Sequence, residues 1–277
     1  LNYRHAFHAG NFADLVKHAA LLQLLAQRAS GTGGLTVIDT HAGRGLYDLA
    51  GAEARKSGEA EAGIVRLMAA GDAPAELGPL IEAVIRLNKG GEPRRYPGSP
   101  WLIAEALGEG DRYIACELRA EEHAALQEVL KDRRGVETLC VDGYEAATRR
   151  CPTSGPVLVL IDPPFERPDD YRRIVETAVA VRRRNASAEL LVWLPLKDLE
   201  TFDAFLRDLE DELGARALAA ETRMRPLADP MKMNGCALVL ISEDQTLAPA
   251  LEAICGWTAE RLGQGGRARV YAVGEAQ

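Results

Sequence analysis

Apolar and polar positions follow two periods along this chain. From Ala13 to Ala29 the apolar residues Leu15, Val16, Ala19, Leu22, Leu25 and Ala26 recur at helical spacing, which predicts a helix. Leu35-Thr-Val-Ile-Asp39 is a short apolar run and reads as a buried strand. Further runs of that kind occupy 112–117, 136–141, 158–161, 189–195, 216–223, 235–241 and 267–273. Helical spacing covers 101–107, 120–131, 145–150, 170–184, 199–213 and 246–262. Strands alternating with helices over most of a chain predict an α/β fold whose mainly parallel sheet is covered on both faces.

The alternation breaks between Tyr47 and Tyr96. Two amphipathic stretches, about 53–70 and 75–88, are joined by Gly71-Asp-Ala-Pro74. In a simple α/β unit the second strand follows the first turn by roughly twenty residues. Here it begins near Arg112. Residues 50–95 are therefore read as a helical insertion into a domain formed by 1–49 and 96–277. Its bland role is a structural lid; Lys89, Arg94 and Arg95 favour a substrate clamp.

Strand ends carry the candidate chemistry. The run Leu158–Ile161 stops at Asp162-Pro163-Pro164-Phe165, where two prolines force a turn. Ligands of open α/β sheets bind at such carboxyl ends. A carboxylate and a carbonyl can accept both hydrogens of a planar amine while a ring stacks on its flat face. The strand at Asp39 runs into Thr40-His41-Ala42-Gly43-Arg44-Gly45, a glycine turn that lets a ligand approach the backbone. It lacks the third glycine of a dinucleotide site and the Gly-Lys-Ser/Thr of a P-loop. Glu117 ends the next strand, where an acid can accept ribose hydroxyls, and Asp142-Gly143 follows the one after. Ser99-Pro100 reads as a helix start.

Residues 1–12 are aromatic and histidine-rich, unlike a disordered terminus. His5 and His8 lack acidic or cysteine partners at ligand spacing, so no metal is expected. The net charge of −8 argues against nucleic-acid binding through bulk charge. It leaves room for a local basic face, expected from Arg44, Arg94 and Arg95, with Arg223 and Arg225. The five cysteines form no Cys-x-x-Cys pair, and Cys116, Cys140 and Cys236, in apolar runs, are expected to be buried thiols in a reducing cytosol. No signal peptide or membrane-spanning run is read.

The four strand ends together resemble a class I S-adenosylmethionine-dependent methyltransferase, Rossmann-like with a mainly parallel seven-stranded sheet. Tyr3-Arg-His-x-Phe-His-x-Gly-Asn11, Lys17-His18, Asp39-Thr-His-Ala-Gly43 and Asp162-Pro-Pro-Phe165 together resemble the RlmJ family of 23S ribosomal RNA adenine-N(6) methyltransferases over essentially the full length. The resemblance implies cofactor contacts from His18, His41, Ser99, Glu117, Asp142 and Gly143, with Lys17 and Gly43 beside them. It implies Asp162 as the catalytic residue, with the Pro163 carbonyl and the Phe165 ring holding the base. Tyr3 and His5 would belong to a mobile substrate-side tail over 1–12. The expected partner is free or early-assembly 23S RNA, met by a cytoplasmic monomer. Competing readings are methylation of adenine in DNA and a non-catalytic nucleic-acid-binding factor on the same fold.

Overall fold

The computed structural model describes residues 5–29, 34–214, 216–227 and 233–274. Tyr3 lies outside them. A 3-10 turn (His5–Phe7) leads into α1 (Phe12–Ala29) and β1 (Thr36–Asp39). Then come β2 (Leu46–Asp48), α2 (Ala52–Ser57), a π-helical stretch (Glu61–Val65), α3 (Arg66–Ala69), a 3-10 turn (Ala75–Leu77), α4 (Gly78–Leu87) and β3 (Arg95–Pro97). The chain continues as α5 (Ser99–Ala106), β4 (Arg112–Cys116), α6 (Ala120–Leu130), β5 (Val136–Leu139), α7 (Gly143–Arg150) and β6 (Val157–Ile161). It closes with α8 (Asp170–Arg184), β7 (Glu189–Leu196), α9 (Leu199–Leu213), β8 (Ala217–Arg223), β9 (Gly235–Ile241), α10 (Ala248–Leu262) and β10 (Arg267–Val273).

The main sheet runs β10-β8-β9-β7-β6-β1-β4-β5. Strands β5, β4, β1, β6 and β7 are mutually parallel, and β9 is antiparallel between β7 and β8. The chain builds outward from β1 through β4 to β5, then returns to place β6 on the other side of β1. The reversal opens a crevice at the carboxyl ends of β1 and β6, the usual place for a ligand in a doubly wound sheet. The sheet has eight strands, where the resemblance suggested seven. β10 adds antiparallel to β8, because its run of Val270, Tyr271 and Val273 covers an edge that would otherwise be bare.

The sheet divides two cores. Val37, Leu158 and Leu160 face the first with α1, α5 and α10; Ile38, Val159 and Ile161 face the second with α7, α8 and α9. This is the period-two alternation of a strand covered on both sides. α1 is itself buried over most of its first three turns, so Lys17 and His18 are interior residues, 5% and 1% exposed.

The segment between the first two parallel strands differs in detail from its sequence pattern. A two-stranded antiparallel ribbon, β2 with β3, brackets it. Strands of three residues are too short to show a period. The expected helix over 53–70 is broken at Gly58, which adopts φ +66° and ends α2. Cys140 is exposed, not buried: β5 is the sheet's edge and is only half covered. Among the described residues no helix is long and apolar enough to cross a membrane.

Candidate active site

A cleft of about 850 Å³ lies over the carboxyl ends of β1, β4, β5 and β6. His5, Lys17, His18, His41, Gly43, Ser99, Glu117, Asp142, Gly143, Asp162, Pro163 and Phe165 all line it. Residues far apart in sequence are thus brought to one surface by the return of the chain at β6.

Asp162 follows β6 directly. Lys17 Nζ donates to its Oδ2 at 2.5 Å and lies 3.0 Å from Asp14 Oδ1. The Gly10 amide donates to Asp14 Oδ2 at 3.0 Å, and His5 Nε2 is 3.0 Å from the same oxygen. Asp14 is placed by a helix cap: its amide donates to Asn11 Oδ1 at 3.0 Å. Burial works against charge on Asp14, but His5, Lys17 and His18 outweigh it and hold the carboxyl well below its usual range. Burial likewise opposes charge on Lys17, and Asp14 and Asp162 outweigh it, so the ammonium is held well above its usual range. The result is a protonated lysine between two carboxylates. Oδ1 of Asp162 carries no hydrogen bond among the described residues.

Two prolines carry the chain from Asp162 to Phe165, which sits at φ +51°. For a bulky residue this is a strained conformation, of a kind that persists where surrounding structure enforces it. The ring packs 5.0 Å from Tyr171 and 5.9 Å from Trp193, and it also lines the cleft.

The part of the cleft over β1, β4 and β5 is built from glycines and buried polar groups. Gly43 has φ +64°, and a Cβ there would meet the Tyr47 hydroxyl at 2.5 Å. Its amide donates to Glu117 Oε2 at 2.9 Å, while the Arg119 amide donates to Oε1 at 2.8 Å. Burial raises the Glu117 carboxyl from its ordinary value. Asp142 caps α7 through the amides of Tyr144 and Glu145 and receives Arg173 at 3.0 Å. A Cβ on Gly143 would stand 1.8 Å from the Thr40 carbonyl oxygen, so only glycine lets the ends of β1 and β5 approach. Burial pushes His41 down to about 4 and, aided by Lys17, His18 to about 3. Both rings are neutral at pH 7; His18 Nδ1 lies 2.9 Å from the Tyr96 hydroxyl.

Several contacts were not anticipated from the sequence. Asp39 receives Ser99 Oγ at 2.7 Å and the Tyr113 hydroxyl at 3.2 Å, and burial lifts its carboxyl to about 6. Glu59, on the segment after α2, is 2.9 Å from His8 Nδ1 and accepts from Asn11 Nδ2 at 2.9 Å. Single acids among 41 Asp and Glu carry no signal until the fold supplies their neighbours. The expected basic face is not assembled as predicted. Of its five arginines only Arg225 lines the cleft; Arg44 is drawn to Glu122 and Arg223 to Glu221.

A family model described as ribosomal RNA large subunit methyltransferase D, RlmJ, matches residues 32–273. The chain belongs to the RlmJ family. It is 32% identical over 264 residues to ribosomal RNA large subunit methyltransferase J of Haemophilus influenzae (strain Rd), covering 95% of this chain and 94% of that relative. It is 32% identical over 265 residues, with the same coverage, to the protein of that name from Escherichia coli K12. A crystal structure from Legionella pneumophila superposes with a TM-score of 0.86 at 25% identity, over 97% of this chain and 99% of that one. The fold is that of the class I S-adenosylmethionine-dependent methyltransferases.

Proposed function

We propose that this protein transfers the methyl group of S-adenosylmethionine to the exocyclic N6 amine of an adenine in 23S ribosomal RNA, as a cytoplasmic monomer acting on free or early-assembly RNA. The observation that carries this reading is Asp162, held at the end of β6 with one carboxylate oxygen on Lys17 and the other open to the cleft. The printed names of the relatives, ribosomal RNA large subunit methyltransferase J, support the substrate class.

The residues present fit the cofactor. Gly43 and Gly143 leave the bare backbone a nucleoside needs, and Glu117 and Asp142 offer carboxylates at the ends of β4 and β5. Ser99 and the neutral His18 and His41 complete the cradle without adding positive charge beside a cationic cofactor. When bound, S-adenosylmethionine supplies an electrophilic methyl on a sulfonium.

The chain's own residues do the rest. The adenine is unstacked from its strand, as base chemistry requires, and lies on the Phe165 ring. Oδ1 of Asp162 and the Pro163 carbonyl accept the two amine hydrogens, turning the nitrogen lone pair toward the methyl. Positive charge developing on N6 then falls beside a carboxylate already fixed by Lys17. Such preorganised charge and alignment lower the barrier without reorganisation. His5, which lines the cleft, would meet the base from the amino-terminal side.

The test is methyl transfer from labelled cofactor to a 23S RNA transcript and to duplex DNA of matching sequence, with the modified nucleotide mapped. Label in an RNA adenine, lost in Asp162→Asn while cofactor affinity stays within a few-fold, is expected. Label in the DNA alone would overturn the RNA assignment.

A further inference from the structure

The cations that line the cleft differ in their partners. Arg173 meets Asp142 at 3.0 Å, and Arg167 meets Asp169 at 3.1 Å. Three others line the cleft and face no carboxylate among the described residues. These are Arg66 at the start of α3, Lys197 just after β7 and Arg225 just after β8. All three side chains are exposed.

Hydrogen bonds tie Lys197 and the residue before Arg225 to the end of α10, where the Arg66 side chain also docks. Asn234, 1% exposed, links the two strand ends. Its amide donates to the Leu196 carbonyl at 2.9 Å, its Nδ2 to the Lys197 carbonyl at 3.0 Å, and its carbonyl accepts the Met224 amide at 2.8 Å. The Met224 carbonyl in turn accepts the Gln264 amide at 2.7 Å, anchoring the loop after α10. Arg66 is fastened to the end of that helix, with Nη2 donating to the Arg261 carbonyl at 2.5 Å. A carbonyl leaves the guanidinium charge unneutralised. Three cations without a carboxylate among the described residues, in the cleft that also holds Asp162 and Phe165, match a polyanionic strand entering beside its unstacked base.

We propose that Arg66, Lys197 and Arg225 bind the phosphates flanking the target adenine, and that supplying Arg66 is a function of the insertion. This rests on the RNA-methylation reading above. In a chain of net charge −8 the attraction must be local. Cations that neutralise phosphates release counterions, so each contributes to the salt dependence of binding.

The experiment measures methyl transfer to a 23S transcript across a salt series, with wild-type protein, the triple variant Arg66→Gln/Lys197→Gln/Arg225→Gln, and Arg94→Gln/Arg95→Gln as an off-cleft control. The triple variant is expected to raise KM for RNA by about tenfold or more and to flatten the log KM against log salt slope by about 0.7 per charge removed. Its kcat at saturating RNA and its cofactor affinity by calorimetry should stay within about twofold, and the control should match wild type. An unchanged KM and slope in the triple variant, or equal changes in the control, would overturn the phosphate assignment alone. Wild-type protein that methylates no RNA would overturn the functional reading and this inference with it.

Discussion

Lys17 Nζ bridges Asp162 Oδ2 at 2.5 Å and Asp14 Oδ1 at 3.0 Å, so the Asp162 carboxylate is fixed by a buried cation that answers to a second acid. Lys17 and Asp14 side chains are only 6% and 2% exposed. Removing one member of such a set leaves a buried charge without its partner, which costs about 3–5 kcal/mol. Lys17→Met is therefore expected to lower unfolding free energy on that order, and kcat along with it, whereas Lys17→Arg should retain most of the stability. Urea denaturation beside single-turnover methyl transfer checks both; a Lys17→Met protein as stable as wild type would show that Asp14 does not depend on the bridge.

Gly143 offers a cleaner test of the proposed cofactor site. A methyl group there meets the Thr40 carbonyl oxygen at 1.8 Å, and neither backbone can yield without moving the end of β1 or the Asp142 cap. Overpacking of this kind costs about 1–3 kcal/mol. Because the distorted atoms are those lining the cradle, Gly143→Ala should weaken S-adenosylmethionine binding by roughly tenfold or more, read by calorimetry. Gly71→Ala, in open space on the insertion, should bind as wild type.

How much of this was legible before the fold was known depends on the kind of signal. Asp162, Gly143 and Glu117 stand at strand ends marked by abrupt stops in apolar runs, and strand ends are where this topology collects ligands. The order of the main elements followed from period alone. The bridge through Asp14, the Asp39–Ser99–Tyr113 cluster and the Glu59–Asn11 contact were not legible, because each joins residues whose proximity is created only by packing. The basic face failed for a related reason. Adjacency in sequence suggested Arg94 and Arg95, but the fold leaves both off the cleft, and it sets Glu122 beside Arg44.

The contact between His8 and Glu59 fastens the amino-terminal turn to the segment after α2, and it should depend on pH. Hydrogen bonding to Glu59 raises His8 from 6.5, with burial opposing. The stability it contributes is full below pH 6.5 and is lost as pH rises through the raised folded value. Burial opposes charge on Glu59, but His8 and Asn11 outweigh it and lower its carboxyl from 4.5; that contribution is full above 4.5 and lost in acid. The contact is strongest between those limits. Both side chains are more than a third exposed, so solvent screening limits it to about 0.2–1 kcal/mol. His8→Gln should thus melt below wild type by up to roughly 2–4 °C near pH 6, with the gap closing above neutrality. A gap independent of pH would contradict the ionic character of the contact.

Phe165 combines two separable features, a ring that lines the cleft and a backbone at φ +51°. Stacking of a base on an aromatic side chain is worth about 1–3 kcal/mol, so Phe165→Ala should raise KM for RNA by roughly 5- to 150-fold. Phe165→Tyr preserves the ring and should stay near wild type. Phe165→Gly removes the ring but also releases backbone strain, of order 1–3 kcal/mol. It should share the KM defect of alanine while being the more stable of the two, since both lose the packing against Tyr171 and Trp193 equally. Steady-state kinetics and thermal melts of the three variants resolve the matter. Equal stability of the glycine and alanine proteins would remove the strain argument, and an unchanged KM in both would place the target base somewhere other than on Phe165.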